Sequence, residues 1–369
     1  MKRSALIALL LAGGLAASAA AQQPPPAAGG APPPGPAGAP RPPRSPLPPP
    51  EPIEHVTKDV WKIFGGGGNT TVVVQKEGVV LVDTKMPGNG PAILDEVKKV
   101  TKKPVVLVIN THSHPDHLGS NDYIRDQFPN VHVVMNEGAK EEVLANKGYG
   151  PKLLPTETYK DTMTIGKGQD EVQLFHFGRG HTNGDTFVFF PAQHVLCMGD
   201  VMAWDMAPFL PAGGAAAIAD EIDSLVAALK GKGVQYVIEG HGNVNTWAHL
   251  ERFARFNRAL IKAARLHYDR GDPPSAAVAD LEKNPEFAPL LDHKIKQGLE
   301  YGNTPFARAN MNVNVAYGEF AGEKIGFAVA NGGPLPATDK HKGSNPEDTR
   351  PPTPADIAAE TPRPKLPGA

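Results

Sequence analysis

The chain is organised around residues 111–119, which read Thr111-His112-Ser113-His114-Pro115-Asp116-His117-Leu118-Gly119. This stretch places three histidines and one aspartate in six consecutive positions. It follows an apolar, β-branched run, residues 104–110, which is too short for a helix and is typical of a buried strand. The histidine cluster is therefore predicted in a loop at the end of a strand, where chemical groups are common in α/β proteins.

The spacing of these side chains suits metal binding. His112 and His114 are two residues apart, so an extended backbone directs both rings to one side. Asp116 and His117 are adjacent, so their side chains diverge. Imidazole and carboxylate are ligands expected of a zinc site, and one short loop can thus serve two neighbouring ions. A surface loop that is merely rich in histidine is the alternative.

His-x-His-x-Asp-His followed by Gly119 resembles the signature loop of the metallo-β-lactamase superfamily. The resemblance covers roughly residues 55–250. It implies an α+β fold, an αββα sandwich with a metal site at one edge of two facing sheets. Helical sequence beyond that region predicts a C-terminal helical extension.

Motifs further along the chain provide the remaining ligands that the resemblance implies. His181 lies in Gly-His-Thr-x-Gly-Asp, Asp200 ends a predicted strand, and His241 lies in Gly-His-Gly after the next predicted strand. The predicted metal ligands are His112, His114, Asp116, His117, His181, Asp200 and His241.

The resemblance also divides this set between two ions. His181 is expected on the ion held by the first two histidines of the loop, and His241 on the ion held by Asp116 and His117. Asp200 is expected to bridge both ions.

Five side chains receive further roles in this interpretation. Asp83 ends a predicted strand where the family carries a supporting aspartate, so it is expected to hydrogen-bond the metal loop; a simple strand-end cap is the alternative. Asp116 is assigned the catalytic role, orienting the nucleophile and relaying a proton to the leaving group. Ser113 is interpreted as a spacer, and Cys197 as a small core residue of opposite strand parity to Asp200. His176 is expected to pack or to support a ligand.

These residues predict a cofactor of two divalent metal ions, Zn²⁺ first, with Fe or Mn as alternatives. Such ions lower the pKa of bound water from about 15.7 to about 7 and so supply hydroxide at neutral pH. The predicted activity is hydrolysis of a small-molecule ester, lactone, thioester or β-lactam. Because some β-lactamases place cysteine or serine near the bridging position, Asp200 makes the chain more similar to the glyoxalase II, lactonase and phosphodiesterase branches.

Two other functions stay open. An iron-dependent oxidoreductase similar to persulfide dioxygenases would use a similar site, and a non-catalytic binding protein could keep the same fold. The flavin-linked di-iron branch is disfavoured because its loop carries a glutamate where this chain has His114. Trp204, Phe209 and Tyr149 are candidates for substrate contact, each with simple packing as the alternative, so the substrate-binding residues stay unassigned.

Composition limits the partners and the compartment. The chain has 369 residues and a formal net charge of −2, which gives no reason to expect nucleic acid. Residues 1–21 have the charged start, short apolar run and Ala-x-Ala site of a secretory signal peptide. We therefore expect export to a bacterial periplasm or the extracellular space, without stable membrane insertion once the signal is removed.

With Cys197 as its one cysteine, the chain has no intramolecular disulfide. The oligomeric state is left open.

The remaining organisation follows composition and periodicity. Residues 22–52 and 333–369 are rich in proline and predict disordered segments, residues 53–250 predict the metal-binding domain, and residues 251–332 predict the helical extension. Within the domain, residues 65–68 are four glycines that join two strands, either as a tight turn or as a flap over the site. Helices are predicted over 118–128 and 285–301.

Overall fold

The computed structural model describes residues 49–291 and 305–325. Thirteen strands in this part of the chain form one seven-stranded and one six-stranded sheet. The strands are β1 Glu54–Thr57, β2 Val60–Ile63, β3 Thr70–Val74, β4 Val79–Val82, β5 Val105–Ile109, β6 His132–Asn136, β7 Glu157–Tyr159, β8 Thr162–Ile165, β9 Val172–Phe175, β10 Phe187–Phe190, β11 Val195–Cys197, β12 Tyr236–Ile238 and β13 Val244–Asn245. The predicted signal peptide, the C-terminal tail and residues 22–48 of the predicted linker lie outside the described residues.

The seven-stranded sheet follows chain order from β1 to β7. The first four strands form an antiparallel meander, and β4 to β7 run parallel. Its central strands are apolar on both faces because helices cover one face and the second sheet covers the other. In β5, Ile109 packs between the sheets while Val108 packs under the helices.

The six-stranded sheet has the order β13-β12-β11-β10-β9-β8. Neighbouring strands in this sheet are antiparallel, except for β11 and β12, which are parallel. The sequence of strand β10 is apolar throughout because both of its faces are buried. Phe187 and Phe189 face the outer core, and Val188 and Phe190 face the other sheet.

Eight helices lie on the outer faces of the two sheets in the described part of the chain. They are α1 Gly90–Val100, α2 Pro115–Leu118, α3 Asn121–Gln127, α4 Glu137–Ala145, α5 Ile218–Leu229, α6 Trp247–Arg270, α7 Pro274–Glu282 and α8 Pro305–Ala321. Helices α1 and α3 share a core with the first sheet, and α5 to α8 share one with the second. The predicted αββα sandwich and C-terminal helices are confirmed.

Helices α6, α7 and α8 pack against each other, and α6 also packs against α5, in the same core as β10 and β11. The described helices of the predicted extension therefore pack on the sandwich. The helix predicted over 285–301 is wrong where it can be compared, since only Ala288–Leu291 forms a short 3-10 turn and residues 292–304 are outside the described part.

Two predicted elements end elsewhere than expected. The helix predicted over 118–128 is broken, because α2 already includes Asp116 and His117 and α3 starts only at Asn121. Strand β11 stops at Cys197, and Asp200 lies on the following 3-10 turn, so strand parity does not relate the two residues. Cys197 is nevertheless buried between the sheets, as predicted.

No helix within residues 49–291 and 305–325 combines the length and apolar character needed to cross a membrane.

Candidate metal centre

The predicted ligands meet at one edge of the sandwich. They follow strands β5, β9, β11 and β12, whose carboxyl ends point to the same edge, and two groups of side chains converge there. Within each group, the candidate ligand atoms lie within 4.8 Å of one another. The groups are His112, His114 and His181, and Asp116, His117, Asp200 and His241.

The first group, the histidine half, consists of imidazoles that face each other. Nδ1 of His114 lies 3.1 Å from Nε2 of His112 and 2.9 Å from Nε2 of His181. Burial, followed by the proximity of the other rings, lowers the pKa of His112 well below its usual value and that of His181 to about 3. These rings are therefore neutral at physiological pH, the form that binds a metal.

The second group, the acidic half, mixes two carboxylates with two imidazoles. Nε2 of His241 lies 3.1 Å from Asp116 and 3.3 Å from Nε2 of His117. Burial lowers the pKa of His241, but the negative charge of Asp200 and the bond to Asp116 outweigh it and raise the pKa to about 9. The pKa values of both carboxyls are lowered: burial opposes this, but the neighbouring His117 and His241 outweigh it.

Asp200 lies between the two halves. Its Oδ1 is 3.2 Å from Nε2 of His117, while its Oδ2 is 3.4 Å from His241 and 3.7 Å from His181. A Cβ on Gly240 would lie 2.1 Å from Asp200 Oδ1, so only glycine fits beside the carboxylate at this point.

The donor set fits divalent metal ions. Ligands held about 2.0–2.1 Å from a tetrahedral ion are about 3.3 Å apart, close to the nitrogen separations in both halves. The outward nitrogens are also fixed, because Nδ1 of His181 donates to the Phe209 carbonyl at 2.6 Å, which leaves its Nε2 lone pair facing the cluster. The His/Asp cluster and the arrangement of its rings are thus suited to divalent metal binding.

Asp83 connects the metal loop to strand β4. Its carboxylate accepts from the backbone N–H and hydroxyl of Thr111, at 2.8 and 2.7 Å, and lies 2.7 Å from Nδ1 of His117. Asp83 is buried and has a φ of +64°, a left-handed conformation that aspartate tolerates better than most residues. Asp83 therefore hydrogen-bonds the metal loop and orients His117, rather than only capping the end of a strand.

The four glycines pack against the metal loop and differ from both predicted alternatives. Gly68 donates to the Asp116 carbonyl at 2.9 Å, and the buried Lys85 ammonium donates to the Gly68 carbonyl at 2.7 Å. A Cβ on Gly68 would lie 2.3 Å from the His117 ring, so this position requires glycine for close approach. The loop therefore supports the metal loop and is not a free flap.

The three candidate contact residues all touch the ligand loops. The Trp204 ring stacks on His241 with centroids 5.7 Å apart, and the Tyr149 hydroxyl donates to the Ser113 carbonyl at 3.0 Å. Phe209 contributes its carbonyl to His181. The Ser113 hydroxyl donates to Glu142, which agrees with a spacer role.

His176, which was expected to pack or to support a ligand, lies just beyond a strand. His176 follows the end of β9, and its Nδ1 lies 2.8 Å from the Asp185 carbonyl. It therefore supports the His181 loop from outside the cluster.

Sequence reasoning missed several supporting residues. Glu239 is buried and accepts from the backbone N–H groups of Trp204, Asp205 and Asn243, which shapes the loop of His241. The sequence does carry a signal for this residue, because Glu239 begins the Glu-Gly-His-Gly motif that contains the ligand His241. The position of Arg308 near Phe209 had no comparable signal because it lies far along the chain.

Comparison with known proteins agrees with this geometry. The family model "Metallo-beta-lactamase superfamily" matches residues 63–241, about half of the chain, and ends at the last predicted ligand. "Metallo-beta-lactamase type 2" of Elizabethkingia meningoseptica is 28% identical over 175 residues, which are 47% of this chain and 68% of that protein. "Metallo-beta-lactamase IND-1" of Chryseobacterium indologenes is 33% identical over 147 residues, 38% of this chain and 58% of that protein.

One solved structure extends the similarity in fold. The sec-alkylsulfatase Pisa1 from Pseudomonas sp. matches with a TM-score of 0.58 at 18% identity, covering 73% of this chain and 50% of that one. The matched family model, the similar β-lactamases and the shared sandwich lead to one conclusion: the chain belongs to the metallo-beta-lactamase superfamily.

Proposed function

We propose that this protein is a dinuclear metal-dependent hydrolase of an ester, lactone, thioester or β-lactam. The observation that carries the proposal is the position of Asp200 between two complete ligand groups. A carboxylate with Oδ1 beside His117 and Oδ2 between His241 and His181 is suited to hold two ions close together. The seven ligands are those assigned from the sequence, with the same division between the ions.

When bound, such ions supply hydroxide at neutral pH and act as Lewis acids toward a carbonyl oxygen. The protein's own contribution is orientation and proton transfer. Asp116 has the most exposed side chain of the carboxylates at the cluster, 25% against 13% for Asp200 and 2% for Asp83. It is therefore the group best placed to orient a nucleophile and pass a proton to a leaving group.

The residues around the cluster fix these positions before substrate arrives. Asp83 and the Phe209 carbonyl each bind the outer nitrogen of a histidine, which determines the direction of its inner nitrogen. Trp204, stacked on His241, places apolar surface next to the acidic half. This arrangement favours a small substrate with an apolar portion.

The choice of substrate class takes its support from the relatives. Two of them carry β-lactamase in their names, while the sulfatase shares only the fold. Export, proposed from the sequence alone, would place a β-lactam or another small molecule within reach.

A substrate panel tests the proposal directly. Zinc-loaded protein is assayed on esters, lactones, thioesters and β-lactams, beside a His114→Ala variant and a His132→Ala control on an exposed strand position. We expect hydrolysis by wild type and by His132→Ala, and loss of at least about 100-fold in His114→Ala. Equal rates in His114→Ala and wild type would show that the site is elsewhere.

Metal analysis separates hydrolysis from the alternative oxidative chemistry. Protein purified without added metal is measured by mass spectrometry for zinc, iron and manganese. Two zinc ions per chain are expected. One iron per chain with oxygen consumption on a persulfide would favour the oxidoreductase. No metal and no turnover of any panel compound would favour a binding protein.

A further inference from the structure

Arg308 brings a buried positive charge from the C-terminal extension toward the metal centre. It lies on α8, and only 6% of the residue is exposed. Its guanidinium carbon is 5.4 Å from the centre of the Phe209 ring. The carbonyl of that same phenylalanine accepts from Nδ1 of His181. One residue therefore separates the guanidinium from the histidine half.

The helix that carries Arg308 is fixed against the loop that carries Phe209. Asn312, one turn further along the same face of α8, donates to the Pro208 carbonyl at 2.9 Å. Near the end of the helix, the Glu319 carboxylate accepts from the backbone N–H groups of Gly214 and Ala216. Contacts on both sides of the loop thus hold the position of the arginine.

Within the described residues, the Nε atom of this guanidinium is buried without a hydrogen-bond partner. Burial lowers its pKa to about 10, and the charge that counteracts this is the negative charge of Asp200. A desolvated guanidinium is costly unless it is paired, and one aromatic face offsets only part of that cost. The Nε donor of Arg308 is therefore available to an anion beside Phe209.

We propose that Arg308 binds an oxyanion group of the substrate, a carboxylate or a sulfonate, at a distance from the bond that is cleaved. The planar guanidinium presents parallel N–H donors that match the two oxygens of such a group. Phe209 beneath it provides an apolar contact for the carbon next to the oxyanion. This inference rests on the proposed function for its meaning in catalysis, but the binding of an anion is measurable without turnover.

The first test measures binding by titration calorimetry. Benzoate, benzenesulfonate and the neutral benzamide are titrated into zinc-loaded and into metal-free full-length protein. We expect both anions to bind both forms and benzamide to bind at least about tenfold more weakly. Preference for benzoate alone identifies a carboxylate, and preference for benzenesulfonate alone a sulfonate. Equal binding of all three compounds to wild type, or no binding, would overturn the proposal whatever the variants do.

The second test uses Arg308→Gln, with Arg255→Gln as a matched control at an exposed arginine paired with Glu286. Arg308→Gln is expected to weaken benzoate binding at least about tenfold and to leave benzamide unchanged. Arg308→Lys is expected to recover part of the loss because it restores the charge without the planar fork. Unchanged benzoate binding in a folded Arg308→Gln protein, judged by thermal unfolding, contradicts the proposal.

The third test uses turnover where the panel reveals an ester activity. The half-ester 4-nitrophenyl glutarate carries a carboxylate, and 4-nitrophenyl pentanoate replaces it with a methyl group. Arg308→Gln is expected to raise KM about tenfold for the first ester only, with kcat little changed. A merely structural role would change both esters equally and so refute the proposal. If neither ester is cleaved by wild type, the proposed hydrolase activity is in doubt, while calorimetry still decides the role of Arg308.

Discussion

The carboxyl groups on the two sides of the metal centre have opposite properties. In the acidic half, the pKa values of Asp116 and Asp200 are lowered because charged histidines outweigh the effect of burial. Behind the histidine half, burial raises the pKa of Asp185 to about 7 and that of Glu221 well above its usual value. The carboxyls of the acidic half are thus ionised, whereas behind the histidine half Glu221 keeps its proton and Asp185 is only partly ionised near neutral pH.

This difference has a consequence for metal binding. An ion in the acidic half would face both Asp116 and Asp200, whereas one in the histidine half would face three neutral rings and only the shared Asp200. Glu221, protonated behind those rings, adds no further negative charge, and Asp185 adds only part of one near neutral pH. The two positions therefore differ in net charge and are expected to differ in metal affinity.

Removal of the carboxylate that both halves share should impair both of them at once. In Asp200→Ala, both halves lose a ligand atom at once. We expect activity to fall by at least about 1,000-fold and the metal content to drop below two ions per chain. Asp126→Ala, an exposed aspartate paired with Lys152, is the control. Metal content of two ions with full activity would disprove the bridging position.

The halves can be separated by removing one histidine from each. His181→Ala should empty the histidine half and His241→Ala the acidic half, each with a loss of about 100-fold or more in activity. Cobalt-substituted proteins report the two positions by their visible spectra. One remaining ion per chain, with a different spectrum in each variant, is the expected result. Loss of both ions together in either variant would show that the halves do not bind independently.

Substitution of Asp83 should have a smaller effect, and it should affect the acidic half only. Asp83→Asn keeps the bond to the Thr111 backbone but weakens the orientation of His117. Loss of such a supporting contact typically costs about 10- to 100-fold in metal affinity. Competition with a zinc chelator should show the loss for one ion only, with the exposed Asp95→Asn as control. An equal loss for both ions would assign Asp83 a general structural role.

The smallest effect concerns the protonated carboxyls. The unfolded Glu221 ionises near pH 4.5, whereas its buried form keeps a proton to a higher pH. Above pH 4.5 the folded state therefore binds more protons, and the free energy of unfolding decreases as pH rises, by up to about 1.4 kcal/mol per pH unit. Glu221→Gln should reduce this slope and increase stability at pH 8.

Urea unfolding between pH 5 and 9, at fixed zinc concentration, measures this effect. The exposed Glu137→Gln is the control and should follow wild type. A residual slope up to about pH 7 is expected in Glu221→Gln because Asp185 also keeps its proton in the folded protein. Identical slopes in Glu221→Gln and wild type would mean that Glu221 is ionised in the folded state.

Local patterns in the chain were enough to predict much of the molecule. Residues 112–117 carry four candidate ligands in one short stretch, and His181 and His241 lie in short glycine-rich motifs directly after strands. The buried strands were visible as apolar runs because both faces of each sheet are covered. The superfamily and the sandwich followed from these features, and both are confirmed. The ligand roles stay predictions.

Other features depend on contacts between segments far apart in the chain. Strands β7, β8 and β13 were not predicted because they are short and carry little apolar pattern of their own. The support of His117 by Gly68 and the position of Arg308 over Phe209 arise only when distant segments pack together. Spacing along the chain determines which side chains follow a strand. Long-range packing determines which charges they meet there, and hence which carboxyl is ionised and which arginine is left to bind an anion.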